Sequence, residues 1–98
     1  MAENVVSVTS ATVPPESEAA LEQAFRTATS TLPHMVLNTV LVKGDAGVWR
    51  VITLWRSREQ LEEYRRSVET PAAMRIFRDA GAEPTVSVYQ VVHRAATE

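Results

Sequence analysis

The order of elements predicted along the chain, β-α-β-β-α-β, indicates an α+β domain of the ferredoxin-like type with an antiparallel-rich four-stranded sheet. Three observations predict this order. Four runs are rich in β-branched or aromatic residues, two intervening segments repeat apolar residues with helical spacing, and a short turn joins the two central runs. The length of 98 residues fits a single domain over residues 1–98.

The first strand and the first helix are predicted on either side of a Pro-Pro pair. Val5–Val13 is β-branched and rich in Ser and Thr, which favours a strand. After Pro14-Pro15, apolar residues recur at i, i+3, i+4, i+7 and i+11 between Leu21 and Leu32, which predicts one apolar helical stripe. Pro33 is predicted to end this helix.

The two central strands are predicted to form a hairpin. Met35–Val42 and Val48–Trp55 are apolar runs, and Lys43–Gly47 between them carries the Gly and Asp residues typical of a turn. The hairpin places these two strands side by side in the sheet.

The second half of the chain has two helix starts and one strand. Ser57 and Gln60 form a capping box, in which Ser57 accepts a hydrogen bond from a free amide and Gln60 reaches back. Thr70 as N-cap and Pro71 as the first helical residue restart a helix. Thr85–Val92 is the last predicted strand.

Both faces of the central strands are apolar, although helices cover only one face of such a sheet. An uncovered apolar face usually marks an interface, so we expect a homodimer in which two sheets pack face to face. The alternative is that long loops or the third helix cover this face. The residues that alternate between the two sides are Met35, Val36, Leu37, Val40, Leu41, Val42, Val48, Trp49, Val51, Ile52, Leu54 and Trp55.

Composition excludes several classes of function. The net charge is −2 and no basic stripe is present, so nucleic acid is not an expected partner. The chain has no cysteine, and no apolar run approaches the roughly 18 residues of a membrane span. The start, Met1–Asn4, has no basic region followed by an apolar run, so we expect a cytoplasmic protein without membrane contact. No phosphate loop, Ser/His/Asp arrangement or metal-ligand spacing is present, and we expect no metal and no cofactor.

The segment Ile52–Glu59 ends a strand on Trp55, caps a helix with Ser57 and places the acid Glu59 in its first turn. This Trp-x-Ser-x-Glu pattern resembles the antibiotic biosynthesis monooxygenase family, the dimeric α/β-barrel proteins. In element order the likeness covers nearly the whole chain. It implies a cavity between sheet and helices, and oxidation of polycyclic aromatic or quinol substrates by O₂ without metal or flavin. Other members of this family degrade haem.

The resemblance also implies roles for single residues. Trp55 matches the signature Trp, which lines the pocket in polyketide-oxidising members. Those members can carry an Asn four residues earlier and a Tyr six residues later, where this chain has Val51 and Leu61. The polyketide-type constellation is therefore only partly present.

The match to haem-degrading members is poorer. They use an Asn on the first strand, where Thr9 stands here, and a Trp nine residues after the signature Trp, where Tyr64 stands. Their haem-ligating His lies ten residues further on, at Met74 in this chain. We therefore expect no haem degradation.

Four polar or aromatic residues are candidate catalytic groups: Trp55, Tyr64, Asn38 and His34. Trp55 is either plain core or an aromatic platform. The Tyr64 hydroxyl can bind or protonate a substrate oxygen, or simply find a structural hydrogen-bond partner. If the hairpin loop has an even number of residues, Asn38 lies opposite Thr53 on the face of Trp55, with Val36 opposite Trp55. An odd-numbered loop moves Asn38 to the other face.

The remaining candidates line the predicted cavity or lie near it. His34 is either a catalytic base or a surface residue. The predicted substrate-binding residues, several of which are alternatively plain core, are Val51, Thr53, Leu61, Met74 and Phe77.

Two functions follow as hypotheses. The first is a cofactor-independent monooxygenase-like protein that acts on a small aromatic, polyketide or quinol-type substrate with O₂. The second is a non-catalytic dimeric module that binds a small apolar or aromatic molecule or another protein. The apolar Val51 and Leu61, at positions where polar residues occur in polyketide-oxidising members, favour the second.

Overall fold

A computed structural model describes residues 3–97 and contains one four-stranded sheet with three α-helices against one of its faces. This is the predicted ferredoxin-like α+β fold. Short 3₁₀ turns precede the first helix and close the central hairpin. The elements are β1 (Val5–Thr12), α1 (Glu18–Ala28), β2 (Val36–Lys43), β3 (Val48–Trp55), α2 (Arg58–Ser67), α3 (Ala72–Asp79) and β4 (Thr85–Gln90).

The sheet has the strand order β2-β3-β1-β4, and every neighbouring pair is antiparallel. The two inner strands, β1 and β3, pair along their full length, from Val5 opposite Trp55 to Thr12 opposite Val48. The centre of the sheet is therefore built from β1 and β3. Between residues 3 and 97 no helix is both long and apolar enough to span a bilayer.

The inner face of the sheet packs against the helices. Alternate residues of β1 and β3 are buried, as a strand with one covered face requires. Leu21 of α1, Leu61 of α2, and Ile76 and Phe77 of α3 are the buried helix residues. Because α3 packs on this inner face, it does not cover the other one.

The outer face of the sheet is apolar and open in the single chain. Val40 and Tyr89 are 46% and 57% exposed, and both side chains lie on this face. Val48, Ile52 and Leu54 of β3 are partly exposed there too. The sequence predicts this uncovered apolar face correctly.

Both helix boundaries next to prolines differ from the prediction. α1 ends at Ala28 rather than at Pro33, with Thr29 as its C-cap, and the Thr29 hydroxyl donates to the Phe25 carbonyl at 2.7 Å. α3 begins at Ala72 with Pro71 as its N-cap, one residue later than predicted. One of the two hydrogen bonds predicted for the α2 capping box is confirmed, because the Ser57 hydroxyl accepts from the Gln60 backbone N–H at 3.2 Å.

The register of the central hairpin contradicts the prediction for Asn38. Lys43 pairs with Trp49, so the loop between them has an odd number of residues, and Asn38 lies opposite Leu54 on the outer face. Within the loop, Ala46 and Gly47 adopt positive φ angles of 58° and 75°. The residue on the inner face opposite Thr53 is Thr39.

A β-bulge restores the original register at the start of β2. The pairing shifts between Val36 and Asn38, so Val36 lies opposite Trp55 as predicted. Val40 and Val42 lie on the outer face and Leu41 on the inner face, as alternation requires, whereas the bulge places Val36 on the inner face.

Candidate functional site

A pocket of about 130 Å³ lies between the inner face of the sheet and the three helices. Its mouth is marked by Leu32 and Val86, which are 42% and 36% exposed. The strands provide a floor rich in hydroxyl groups and the helices provide mostly apolar walls. Its lining residues include Ser7, Thr9, Thr39, Val51, Thr53, Trp55, Leu61, Tyr64, Arg65, Ala73, Met74 and Ile76.

The pocket divides the hydrophobic core into two clusters. The larger cluster joins α1, α3 and the sheet, and contributes Val51 and Ile76 to the lining. The smaller one consists of Val5, Met35, Trp55 and Leu61, with Val36, Tyr64 and Val88 packed against it. The pocket touches both clusters, so a bound molecule would contact each of them.

Trp55 and Tyr64 form the aromatic end of the pocket. Their ring centroids are 5.1 Å apart and the planes are tilted by 45°, an arrangement that the ring quadrupoles favour. Trp55 is 5% exposed, and its indole Nε1–H donates to the Ser7 hydroxyl at 2.9 Å. This hydrogen bond fixes the Trp55 ring on the sheet.

The Tyr64 hydroxyl connects α2 to the start of α3. Its oxygen accepts the backbone N–H of Ala72, the first residue of α3, at 3.0 Å. A tyrosine hydroxyl carries one hydrogen as well as its lone pairs, so Tyr64 still has a donor to offer. Tyr64 also lines the pocket, so its side chain lies within reach of a molecule bound there.

Four hydroxyl groups from three strands form the polar part of the floor. Thr39 and Thr53 are hydrogen-bonded across β2 and β3, with their oxygens 2.9 Å apart. Ser7 and Thr9 are buried on β1. Sequence reasoning missed Ser7 and Thr39 and used Thr9 only as an aligned position. The available signal was the alternation of β1, which puts Ser7 and Thr9 on the same face as Val5 and Ala11.

Charge is nearly absent from this pocket. Arg65 is the one charged lining residue in the described part of the chain, and its guanidinium binds Glu62 at 3.2 Å. No carboxylate or imidazole lines the pocket among residues 3–97, and these residues contain no group of three or more His, Cys, Asp or Glu that would hold a metal ion. The polar lining atoms therefore offer hydrogen bonds rather than proton removal.

A separate polar cluster at the other end of the sheet fixes α1. The Trp49 indole N–H donates to the Glu18 carboxylate at 3.1 Å, and Lys43 contacts the same carboxylate at 3.1 Å. The hydrogen bonds from Trp49 and Lys43 lower the pKa of Glu18 below its ordinary value. Glu18 does not line the pocket, and its role is to attach the first turn of α1 to β2 and β3.

Comparison with known proteins identifies the family. The sequence profile of the Antibiotic biosynthesis monooxygenase family matches residues 4–76. The chain belongs to this family. It is thereby assigned to monooxygenase-like or small-molecule-binding domains in general, with the substrate left open. No curated protein matches the sequence significantly.

Solved structures with this fold span almost the whole chain of this antibiotic biosynthesis monooxygenase family member. The heme-degrading protein Rv3592 from Mycobacterium tuberculosis is 22% identical, with a TM-score of 0.73 over 99% of this chain and 100% of that one. A candidate antibiotic biosynthesis monooxygenase from Caulobacter crescentus is 18% identical, with a TM-score of 0.69 over 94% and 92%. At these identities the likeness shows the fold alone.

The residues predicted for an antibiotic biosynthesis monooxygenase pocket fall into two groups. Six of them line the pocket: Val51, Thr53, Trp55, Leu61, Tyr64 and Met74. The other three predicted residues lie outside the lining. Phe77 is fully buried in the larger core cluster and does not reach the lining. Asn38 lies on the outer face because of the odd-numbered hairpin loop, and His34 is exposed outside the lining, where its carbonyl accepts from Arg56.

Proposed function

We propose that this protein is a cofactor-independent monooxygenase that oxidises a small aromatic, polyketide or quinol-type substrate with O₂. The observation that carries the proposal is the tilted pair of Trp55 and Tyr64 above a floor of hydroxyl groups. Apolar walls with a few polar groups are the usual design of a small-molecule site. Family membership supports the reaction class.

The chemistry proposed for this site relies on the electrons of the substrate. An anthrone-type CH₂ group gives up two hydrogens, one oxygen atom of O₂ becomes the new carbonyl oxygen, and the other leaves as water. Trp55 and Tyr64 orient the ring, and the Tyr64 hydroxyl donates to the substrate oxygen on which negative charge develops. The hydroxyl floor holds the ring in place and the apolar walls exclude water.

Oxygen uptake in the presence of anthrone, or of a naphthohydroquinone whose product gains a ring oxygen, tests the proposal when no cofactor is added. The wild-type protein is expected to raise the rate above that of the uncatalysed autoxidation, and Tyr64→Phe to lower it. Tyr89→Phe is a matched control because Tyr89 lies on the outer face of the sheet. A rate equal to autoxidation across such substrates would contradict the enzymatic proposal.

A non-catalytic binding module is the second candidate, and a specific observation favours it. The pocket lining described above has no carboxylate or imidazole, the side chains that most often remove a proton in catalysis. In this case the same aromatic molecules bind near Trp55 and Tyr64 but consume no oxygen. Binding without oxygen uptake would support this second function.

A homodimer is proposed for either function. The apolar outer face, with Val40, Val42, Ile52, Leu54 and Tyr89, is large and uncovered in the single chain. Packing two such faces together removes apolar surface from water, at about 25 cal/mol for each Å². The helices and the pocket then lie on the outside of the dimer.

Haem is not part of the proposal, although one protein of similar fold is described as heme-degrading. Neither His34 nor His93 belongs to the pocket lining. The lining residue on α3 that carries a sulfur atom is Met74. Haem iron is held by a His or Cys in most haem proteins and by a Tyr in catalase; the lining formed by residues 3–97 has no His or Cys, and its Tyr64 oxygen already accepts from the Ala72 N–H. Addition of haem is expected to give no shifted Soret band.

A further inference from the structure

We infer that Ser7 is a ligand-binding residue of the pocket, whose hydroxyl selects an aromatic ligand with a hydrogen-bond acceptor on its ring. This inference rests on the proposed small-molecule site and names the chemical class of its ligand. The class is a planar ring with a carbonyl or phenolate oxygen, such as a quinone, rather than a plain hydrocarbon.

The first step is the hydrogen bond between Trp55 and Ser7. The indole nitrogen has a hydrogen and no acceptor, so Trp55 must be the donor and Ser7 Oγ the acceptor, at 2.9 Å. A serine hydroxyl that accepts one hydrogen bond keeps its own hydrogen for donation. Within residues 3–97 no acceptor takes that hydrogen.

The second step is the burial of Ser7. The residue is 8% exposed and lines the pocket beside Trp55. A bound ring that covers this donor without accepting from it costs free energy, because the hydrogen bond that the hydroxyl makes with water is lost. An oxygen on a bound ring satisfies this donor, whereas an unsubstituted ring leaves it unpaired.

The third step is polarisation along the chain of hydrogen bonds. When Trp55 donates to Ser7, the Ser7 O–H bond becomes a stronger donor, since linked hydrogen bonds reinforce one another in a low-dielectric interior. The indole N–H, the serine hydroxyl and the ligand oxygen are then linked by two successive hydrogen bonds. The same contact sets the position of the ligand relative to the Trp55 ring.

The test compares binding of 1,4-naphthoquinone and naphthalene by titration calorimetry. Both rings have the same carbon skeleton, the quinone is already oxidised, and the chain has no cysteine thiol to react with it. The wild-type protein is expected to prefer the quinone. Ser7→Ala should weaken quinone binding roughly three- to tenfold more than naphthalene binding, which is the effect of one neutral hydrogen bond beyond any shift of the Trp55 ring that both ligands sense.

Two further variants complete the design. Ser10→Ala removes a hydroxyl from the opposite face of the same strand and should change neither affinity. Ser7→Gly also lacks the hydroxyl and introduces no thiol that could react with the quinone, so it should behave like Ser7→Ala and replaces that variant if Ser7→Ala does not fold.

The outcomes separate this inference from the proposed function. Equal losses for both rings, or no loss in either Ser7 variant, overturn the role of Ser7, while oxygen uptake with anthrone in the same variants upholds the proposed function. Failure of the wild-type protein to bind either ring overturns the inference, and an oxygen-uptake rate with anthrone equal to autoxidation overturns the enzymatic proposal as well. A selective loss of quinone binding supports the inference.

Discussion

The hydroxyl oxygens of Thr39 and Thr53 lie 2.9 Å apart across β2 and β3, on the face of the sheet that carries the pocket. One hydroxyl donates to the other, so the pair still has one hydrogen to offer. This contact is a polar link between two strands in the hydroxyl-rich floor of the pocket.

Replacement of Thr39 by Val is expected to lower the free energy of unfolding by about 1–2 kcal/mol, because the Thr53 hydroxyl loses its partner in a buried position. The double variant Thr39→Val/Thr53→Val should recover most of this loss, since two valines leave no unpaired polar group. Urea unfolding of the four proteins in the cycle measures both effects. Additive losses would show that the two hydroxyls do not interact.

Part of the stability that the protein loses in acid should come from Glu18. Its folded pKa lies below the ordinary value of 4.5 because Trp49 and Lys43 hydrogen-bond to the carboxylate. The stabilising contribution is therefore present at neutral pH and is lost as the pH falls below about 4.5 and through the lower folded pKa.

Urea midpoints from pH 7 to pH 3 test this role of Glu18. The difference between wild type and Glu18→Gln should be largest at pH 7 and should shrink in acid. Glu22→Gln is the control, since Glu22 has only a 4.0 Å contact with Arg26 on the exposed surface of α1. A difference that stays constant across this pH range would contradict the role of Glu18.

Loss of the Tyr64 hydroxyl should loosen the start of α3. Tyr64→Phe leaves the Ala72 N–H without its acceptor, which is expected to cost about 1 kcal/mol and to speed hydrogen exchange of the Ala72 amide. Hydrogen-exchange measurements by NMR follow that amide directly. Tyr89→Phe should leave it unchanged, and equal protection in both variants would show that the hydrogen bond contributes nothing to α3.

A charge on the outer face should prevent dimer formation. Val40→Asp places a carboxylate on the face of β2 that belongs to the proposed interface, where it has to be desolvated. Light scattering after size exclusion is expected to give twice the mass of one chain for the wild type and a single chain for Val40→Asp. Ala19→Asp on the exposed side of α1 should remain a dimer. A monomeric wild type would refute the interface.

The sequence predicts the fold and the limits of β3 correctly because the period-two pattern of that strand is strong. Trp49, Val51 and Trp55 alternate with Val48, Ile52 and Leu54, and the two sets lie on opposite faces as expected. The Pro and Gly residues between the runs mark the turns clearly. Strand and helix order follow from these local signals.

The placement of Asn38 depends on the number of residues in the hairpin loop, which the apolar pattern of the strands does not determine. A change of one residue in the hairpin loop moves every side chain of β2 to the other face. The left-handed conformation of Ala46, for which Gly or Asn is the usual residue, gives no sequence signal. The bulge next to Val36 then cancels the shift locally, so one end of β2 follows the prediction and the other does not.

The helix side of the pocket shows a similar limit. Met74 and Phe77 are both predicted to face inward, and both do. Met74 nevertheless lines the pocket, while Phe77 is 0% exposed in the core. Helical spacing gives the direction of a side chain but not whether the space in front of it is filled.

The division of the core into two clusters couples occupancy of the pocket to thermal unfolding. A molecule that fits in the pocket contacts both the cluster of Trp55 and the cluster of Val51. It therefore binds the folded chain and not the unfolded one. At one hundred times its dissociation constant it adds about 2.7 kcal/mol to the stability. For a domain of this length that raises the melting temperature by roughly 10–20 °C. Binding of an unlabelled compound can therefore be detected as an increase in the melting temperature of the protein.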